Sequence, residues 1–415
     1  MANTLTVIDM VAREALKVAH ENLTFLGTIN RDYDDSFSKT GAKIGDTLRV
    51  RNPNQYVRRQ GSRVMNVQDQ AETTQTITVS TQDGVDMKFN SAELSLSIDE
   101  LSRRYIEPAV KVLVAGIEGD VLADVTQSVY NLTGTAGTAV GSSSGDISAI
   151  TLARGRLNQY LAPKSDRAVQ LDSITMGYIV NGNKSLFNPS GAVSESFREG
   201  FFSRNAMADW YENEKTWSML NADDVAGEVD ESAETNFVEG STTIHVDGLG
   251  STIKKGMVFE WEGVYACHPE TKAAYSHLQQ FVVTNASGSV TSNEIDITFK
   301  PAIYTTGAKK NVCTATGAAL TWSSTGQDGK NIVFFGTADI SYRQNLMYHR
   351  DAFSFATADL PLMDDALKCV RRSQDGLAIR VWQGSDIRND ELLLRLDILY
   401  GWKAFRPEWA VRISN

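Results

Sequence analysis

Cysteine, histidine, positive net charge and long apolar runs are all in short supply in this chain, and each shortage excludes something. Cys267, Cys313 and Cys369 are its three cysteines. An odd count spread over a hundred residues is no disulfide framework, and without a CxxC pair it is no zinc site. A reducing compartment is the default. Five histidines are few for a metalloenzyme, so no metal and no cofactor is expected. Forty Lys and Arg stand against 51 Asp and Glu, for a formal charge of −11. That balance is wrong for a protein that coats nucleic acid, since such binding runs on Lys and Arg displacing counterions. No stretch approaches the ~18 uninterrupted apolar residues of a membrane helix. The opening "MANTLTVIDMVAREALKV" has no basic region before its apolar part, so it does not read as a signal peptide. The expectation is a soluble protein made in the cytosol.

What remains is ordinary globular material, and a great deal of it. At 415 residues, 42% hydrophobic and 22% charged, the chain exceeds the roughly 250–300 residues at which one core stops growing. Several domains are expected. Ile8, Ala12, Ala15, Ala19, Leu23 and Leu26 predict an amphipathic helix over 6–26. From Thr47 the period changes to two, and "TLRVRNPNQYV" and "TTQTITVSTQDGVDMKF" predict a long two-stranded excursion. Alone it would be marginal in water, so it must lean on something else. Residues 96–132 predict a long helix, with Pro108 in its first turn and a stripe of Val110, Val114, Ile117, Val121 and Val125. Such a helix is roughly 35 Å long. A small-residue loop follows at 133–146, then a helix at 147–162, a strand at "MGYIVNG" (176–182) and short helices through 214. Between about 223 and 333, short β runs at regular spacing ("TTIHVDG", "MVFEWEGVYA", "LQQFVVTNA", "EIDITF", "AALTWSS") predict an inserted antiparallel barrel or sandwich. The rest predicts a helix near 362–372 and strands at "GLAIRVWQG" and "ELLLRLDILYGWKAF".

The motifs that resemble catalytic signatures do not hold together. "GSSSG" at 141–145 fits G-x-S-x-G with Ser143 as nucleophile, but small residues stand where a buried strand is required. "STIK" (251–254) and "KTG" (39–41) occur in the wrong order for a penicillin-binding enzyme, and "STGQDGKN" lacks the spacing of a phosphate loop. "CHPE" with His277 lacks the partners of a metal site. Asp34, Asp35, Asp364 and Asp365 read as solvated faces. Arg49, Arg51, Arg58, Arg59 and Arg63 form the densest basic cluster. It suits either a nucleic acid or, in so acidic a chain, an acidic surface of a neighbouring copy. The last twenty residues, "RLDILYGWKAFRPEWAVRIS", are strand-like and aromatic, and Trp402, Phe405 and Trp409 need apolar cover that a free tail lacks. They are therefore read as the core of a closing strand.

These features, in this order, resemble the major capsid proteins of tailed bacteriophages, whose fold is the Hong Kong 97 type. "YGWKAFRPEWAVRI" looks like the family's closing strand, "FLGTINRDYDDSFSKTGAKIGDTLRVRNP" like its N-terminal arm, and "SIDELSRRYIEPAVKVLVAGIE" like its spine helix. "GSTIKKGMVFEWEGVYACHPETKAAYSHLQQFVVT" resembles the inserted barrel of the coat proteins of the Salmonella short-tailed phage group. The resemblance implies an α+β fold with an N-terminal arm (1–46), an extended β loop (47–92), a spine helix (93–132), axial and peripheral domains (133–222 and 334–394), an inserted antiparallel β-barrel (223–333) and a closing peripheral strand (395–415). It implies a structural protein rather than an enzyme, forming pentamers and hexamers of an icosahedral shell that matures from a procapsid. Arg58, Arg59 and Arg63 become candidates for contact between subunits. The chain shows no long cleavable N-terminal helix, so a separate scaffolding protein is implied, with a portal protein and room for a decoration protein. The shell would enclose double-stranded DNA without reading its sequence, reside in the virion head and be assembled in the host bacterial cytoplasm, with no membrane involved. A serine hydrolase using Ser143, or a ligand-binding protein using the barrel, are the alternative readings.

Overall fold

The computed structural model describes residues 6–32, 47–58, 61, 65, 67–68, 72–90, 102–142, 147–182, 204–230, 237–249, 253–285, 294–363, 367–374, 376–386 and 391–415. The chain divides into two compact units, one of residues 1–52, 74–122 and 353–405, the other of 53–73, 123–352 and 406–415.

The first unit is built on a five-stranded antiparallel sheet. Its centre is the long strand Glu391–Ala404. One edge of that strand pairs with Thr81–Asn90 over ten residues. The other edge pairs with Leu377–Asp386 and then with Phe353–Ala358. Lys368–Gln374 is the outermost strand, paired with Leu377–Asp386. Helix α1, Thr6–Asn22, lies against the last two strands named. It buries Val11, Ala12, Ala15, Leu16 and Ala19, the face that the three-and-four spacing foretold. The long helix is α2, Glu107–Ser128, entered through a π-helical turn at Ser102–Ile106. Pro108 occupies its first turn, where a missing N–H costs nothing, and Val110, Val114, Ile117 and Val121 are buried. The fully buried Glu118 of α2 accepts backbone N–H groups from Thr24 (2.8 Å), Phe25 and Leu26. A carboxylate thus caps the turn that follows α1.

The two-stranded excursion does lean on the sheet. Thr47–Arg51 pairs with Thr74–Thr78, and its apolar face (Leu48, Val50, Ile77) packs with Val79, Ala356, Ala358, Leu360, Leu399 and Phe405. The approach is close enough that a Cβ on Gly401 would lie 2.0 Å from the Thr78 carbonyl oxygen, so only glycine fits there.

In the second unit, one sheet runs Leu132–Gly134, Ala410–Ser414, Ser341–His349, Arg167–Leu171, Ala208–Glu212, Arg204–Asn205. Helices α3 (Ser148–Gln159) and α4 (Ser173–Gly182) cover it. Ile150, Ala153, Leu157, Met176 and Ile179 meet Val169, Trp210, Met347, Val411 and Ile413 in one core. Inserted between Ser218–Leu220 and Ser341–His349 is a closed antiparallel barrel. Its six strands run Val258–Cys267, Ala274–Val283, Glu294–Ile303, Ser241–Asp247, Ala226–Val229, Asn331–Phe334 and back to the first. Closure removes every strand edge. The interior is filled with side chains: Phe259 lies 5.5 Å from Phe281 and 5.4 Å from Phe334, ring centre to ring centre, with Trp261, Phe299, Ile244 and Ile297 around them.

Several expectations are corrected. "MGYIVNG" is helix, not strand, and the Lys368–Gln374 end of the stretch expected to be helical is strand. Residues 204–212 form a hairpin of strands where short helices were expected. "AALTWSS" is no barrel strand. Instead Trp322 packs 5.3 Å from Trp261 and 5.1 Å from Phe237, and Asn331–Phe334 closes the ring. The closing strand is two strands. Glu391–Ala404 and Ala410–Ser414 belong to different sheets, separated by a 3-10 turn at Pro407–Trp409. Pro407 supplies no amide to a ladder and fixes its own φ, which breaks the strand there.

Candidate assembly surface

The aromatic residues of the last segment are not one core. Phe405 is buried in the first unit beneath the excursion, where Gln75 Nε2 donates to its carbonyl at 2.9 Å. Trp402 is half-buried, stacked on Tyr400 at 5.7 Å and paired across strands with Phe355. Trp409 belongs to the second unit, half-buried, with its indole N–H on the Tyr160 carbonyl (3.2 Å) and the Arg406 guanidinium 4.1 Å from its ring centre. Burial, then the hydrogen bond to Asp83, raises the Tyr400 hydroxyl above its usual pKa, and that hydroxyl donates to Asp83 at 2.5 Å. A protonated tyrosine between two strands is a fixed strut.

Arg58 is exposed, and Arg59 and Arg63 lie outside the described residues. In the same stretch the Gln68 side chain accepts the Val57 N–H at 2.8 Å and returns a bond to the Val57 carbonyl at 2.7 Å, clasping two points eleven residues apart. Around that clasp Tyr56, Met65 and Val67 are exposed, the last two by 79% and 77%. Exposed apolar side chains grouped with Arg58 are what a docking segment presents. The sheet of the first unit carries a groove of about 720 Å³, lined by Asp86, Lys88, Leu367, Trp382, Leu393 and Arg395. Leu367 and Leu393 face solvent there, and the pairs Asp86–Arg395 (3.7 Å) and Lys88–Glu391 (2.5 Å) stand beside them.

Sequence reasoning missed the buried charges. Asp397, wholly buried, receives Arg380 at 2.6 Å and Arg395 at 2.7 Å. Arg412, also buried, makes its bonds to carbonyl groups. The available signal was a charged residue inside an otherwise apolar strand, in "RLDILY" and "AVRIS".

Ser143, the KTG segment, the aspartate pairs 34–35 and 364–365, and Ser251 and Thr252 of STIK lie outside the described residues. His268 Nδ1 accepts the N–H groups of Glu270 and Thr271, both at 3.1 Å, and so caps a turn. Burial, with the neighbouring Cys313 thiol, pushes Cys267 up to about 12, an inert thiol at neutral pH. Among the described residues no three His, Cys, Asp or Glu side chains gather to hold a metal, and no helix is long and apolar enough to cross a membrane.

The described architecture is mixed α and β: a long helix, an antiparallel sheet in the first unit, and in the second unit a further sheet with a closed six-stranded barrel inserted. Residues 220–413 match the family of the P22 coat protein, gene protein 5. The match runs through the barrel and on into both final strands. No curated protein matches the chain. Among solved structures it is similar to Mycobacterium phage Che8, at 11% identity over 94% of this chain and 90% of that one, with a TM-score of 0.48. It is similar also to the capsid of cyanophage P-SCSP1u (10%, 90% and 84%, 0.42) and to the virus-like particle from Pyrococcus furiosus (8%, 98% and 98%, 0.39).

Proposed function

We propose that the chain builds an icosahedral phage head from pentamers and hexamers of itself. The head forms first as a procapsid around a separate scaffolding protein, with a portal at one vertex, in the host cytoplasm. It encloses double-stranded DNA without reading sequence, and it catalyses nothing. The N-terminal arm (1–46) and extended loop (47–92) reach onto neighbouring copies, where Arg58, Arg59 and Arg63 meet acidic surface. The observation that carries this reading is the coat-protein match across the barrel and the two last strands. The acidic surface fits it, since a wall carrying net negative charge does not grip the DNA it holds. Neither the hydrolase nor the ligand-binding alternative is supported, and the barrel interior is occupied by its own aromatic side chains. The test is electron microscopy of the full chain expressed with and without its neighbouring genes. Closed shells, tubes or capsomer rings are expected; a uniform small particle under both conditions would overturn the reading.

A further inference from the structure

We draw no further inference here: the strongest candidate, the groove on the five-stranded sheet of the first unit lined by Leu367, Trp382 and Leu393 beside the Asp86–Arg395 and Lys88–Glu391 pairs, carries nothing because nothing in the structure shows what covers it.

Discussion

Asp397 is the residue on which the first unit is most exposed to damage. Its carboxylate is wholly buried, and the Arg380 that pairs with it is almost as deeply buried. A buried pair contributes little net stability, but breaking one leaves an uncompensated charge in a medium of low dielectric. Asp397→Leu should therefore cost about 3–5 kcal/mol in denaturant unfolding, and Arg380→Met/Asp397→Leu should recover much of that loss. A double variant no better than the single would show that the charge is not the cause. Two histidines give the molecule an acid-sensitive side. His277 and His349 are held below their ordinary value of 6.5, in both cases chiefly by burial, with Arg156 adding to the effect at His277. A depressed histidine stays neutral in the folded state while the unfolded chain takes up a proton. Stability from these sites is thus complete above about pH 6.5 and declines as pH falls below it. His277→Gln and His349→Gln should each flatten the fall in the denaturation midpoint between about pH 7.5 and about pH 5.5. Parallel curves for variant and wild type would show that neither group titrates as described.

At the scale of elements, the strand Ala410–Ser414 is the seam of the second unit. It pairs with Leu132–Gly134 on one side and Ser341–His349 on the other, and all five of its residues are buried. Ile413→Ala should cost about 2–5 kcal/mol through lost contacts and a residual cavity, whereas Val333→Ala, on a 53%-exposed side chain, should cost far less. Equal effects in thermal melts would mean that the last strand is not core. Burial of this segment was legible from Trp409, Val411 and Ile413, since a free tail has no use for them. That it forms two strands was not, although Pro407 marked the break. The amphipathic helix, the long helix and most barrel strands were legible because one face of each meets water and leaves a period of 3.6 or 2 in the sequence. Elements covered on both sides left no period. "MGYIVNG" reads as a strand by composition, yet the signal for α4 stood upstream: the Asp172 carboxylate accepts the Thr175 N–H at 3.1 Å, the cap of a helix start. Lys368–Gln374 was likewise announced by Asp375-Gly376, a two-residue hairpin signal that sets Gln374 opposite Leu377. Asp397 was hidden because alternation places it with Arg395 on the exposed face, whereas the strand is covered on both faces from Leu396 through Gly401.

For the whole molecule, the proposed shell raises the question of how a chain of charge −11 would associate with itself rather than repel its copies. Like-charged subunits in register repel, and the repulsion weakens with salt over about 10 Å at 0.1 M. Heterologous contact offers a way out, because the surfaces that meet are different and can differ in sign. Arg49, Arg51, Arg58, Arg59 and Arg63 put five positive charges into fifteen residues, whereas the chain as a whole is acidic. Beside them the exposed Tyr56, Met65 and Val67 supply apolar area. Charge would then steer and orient the encounter, and the apolar groups would hold it. Arg58→Glu, at an exposed side chain, should leave the monomer's stability within the small range of surface substitutions, about 0.5 kcal/mol, and Arg58→Glu/Arg59→Glu/Arg63→Glu is compared with it. The triple variant should lose shell formation at low salt. Added salt should recover part of the assembly in the variant, by screening the new repulsion, while weakening it in the wild type. Light scattering across a salt series checks both slopes, and a variant that assembles at the wild-type rate throughout would mean that these arginines meet no acidic partner.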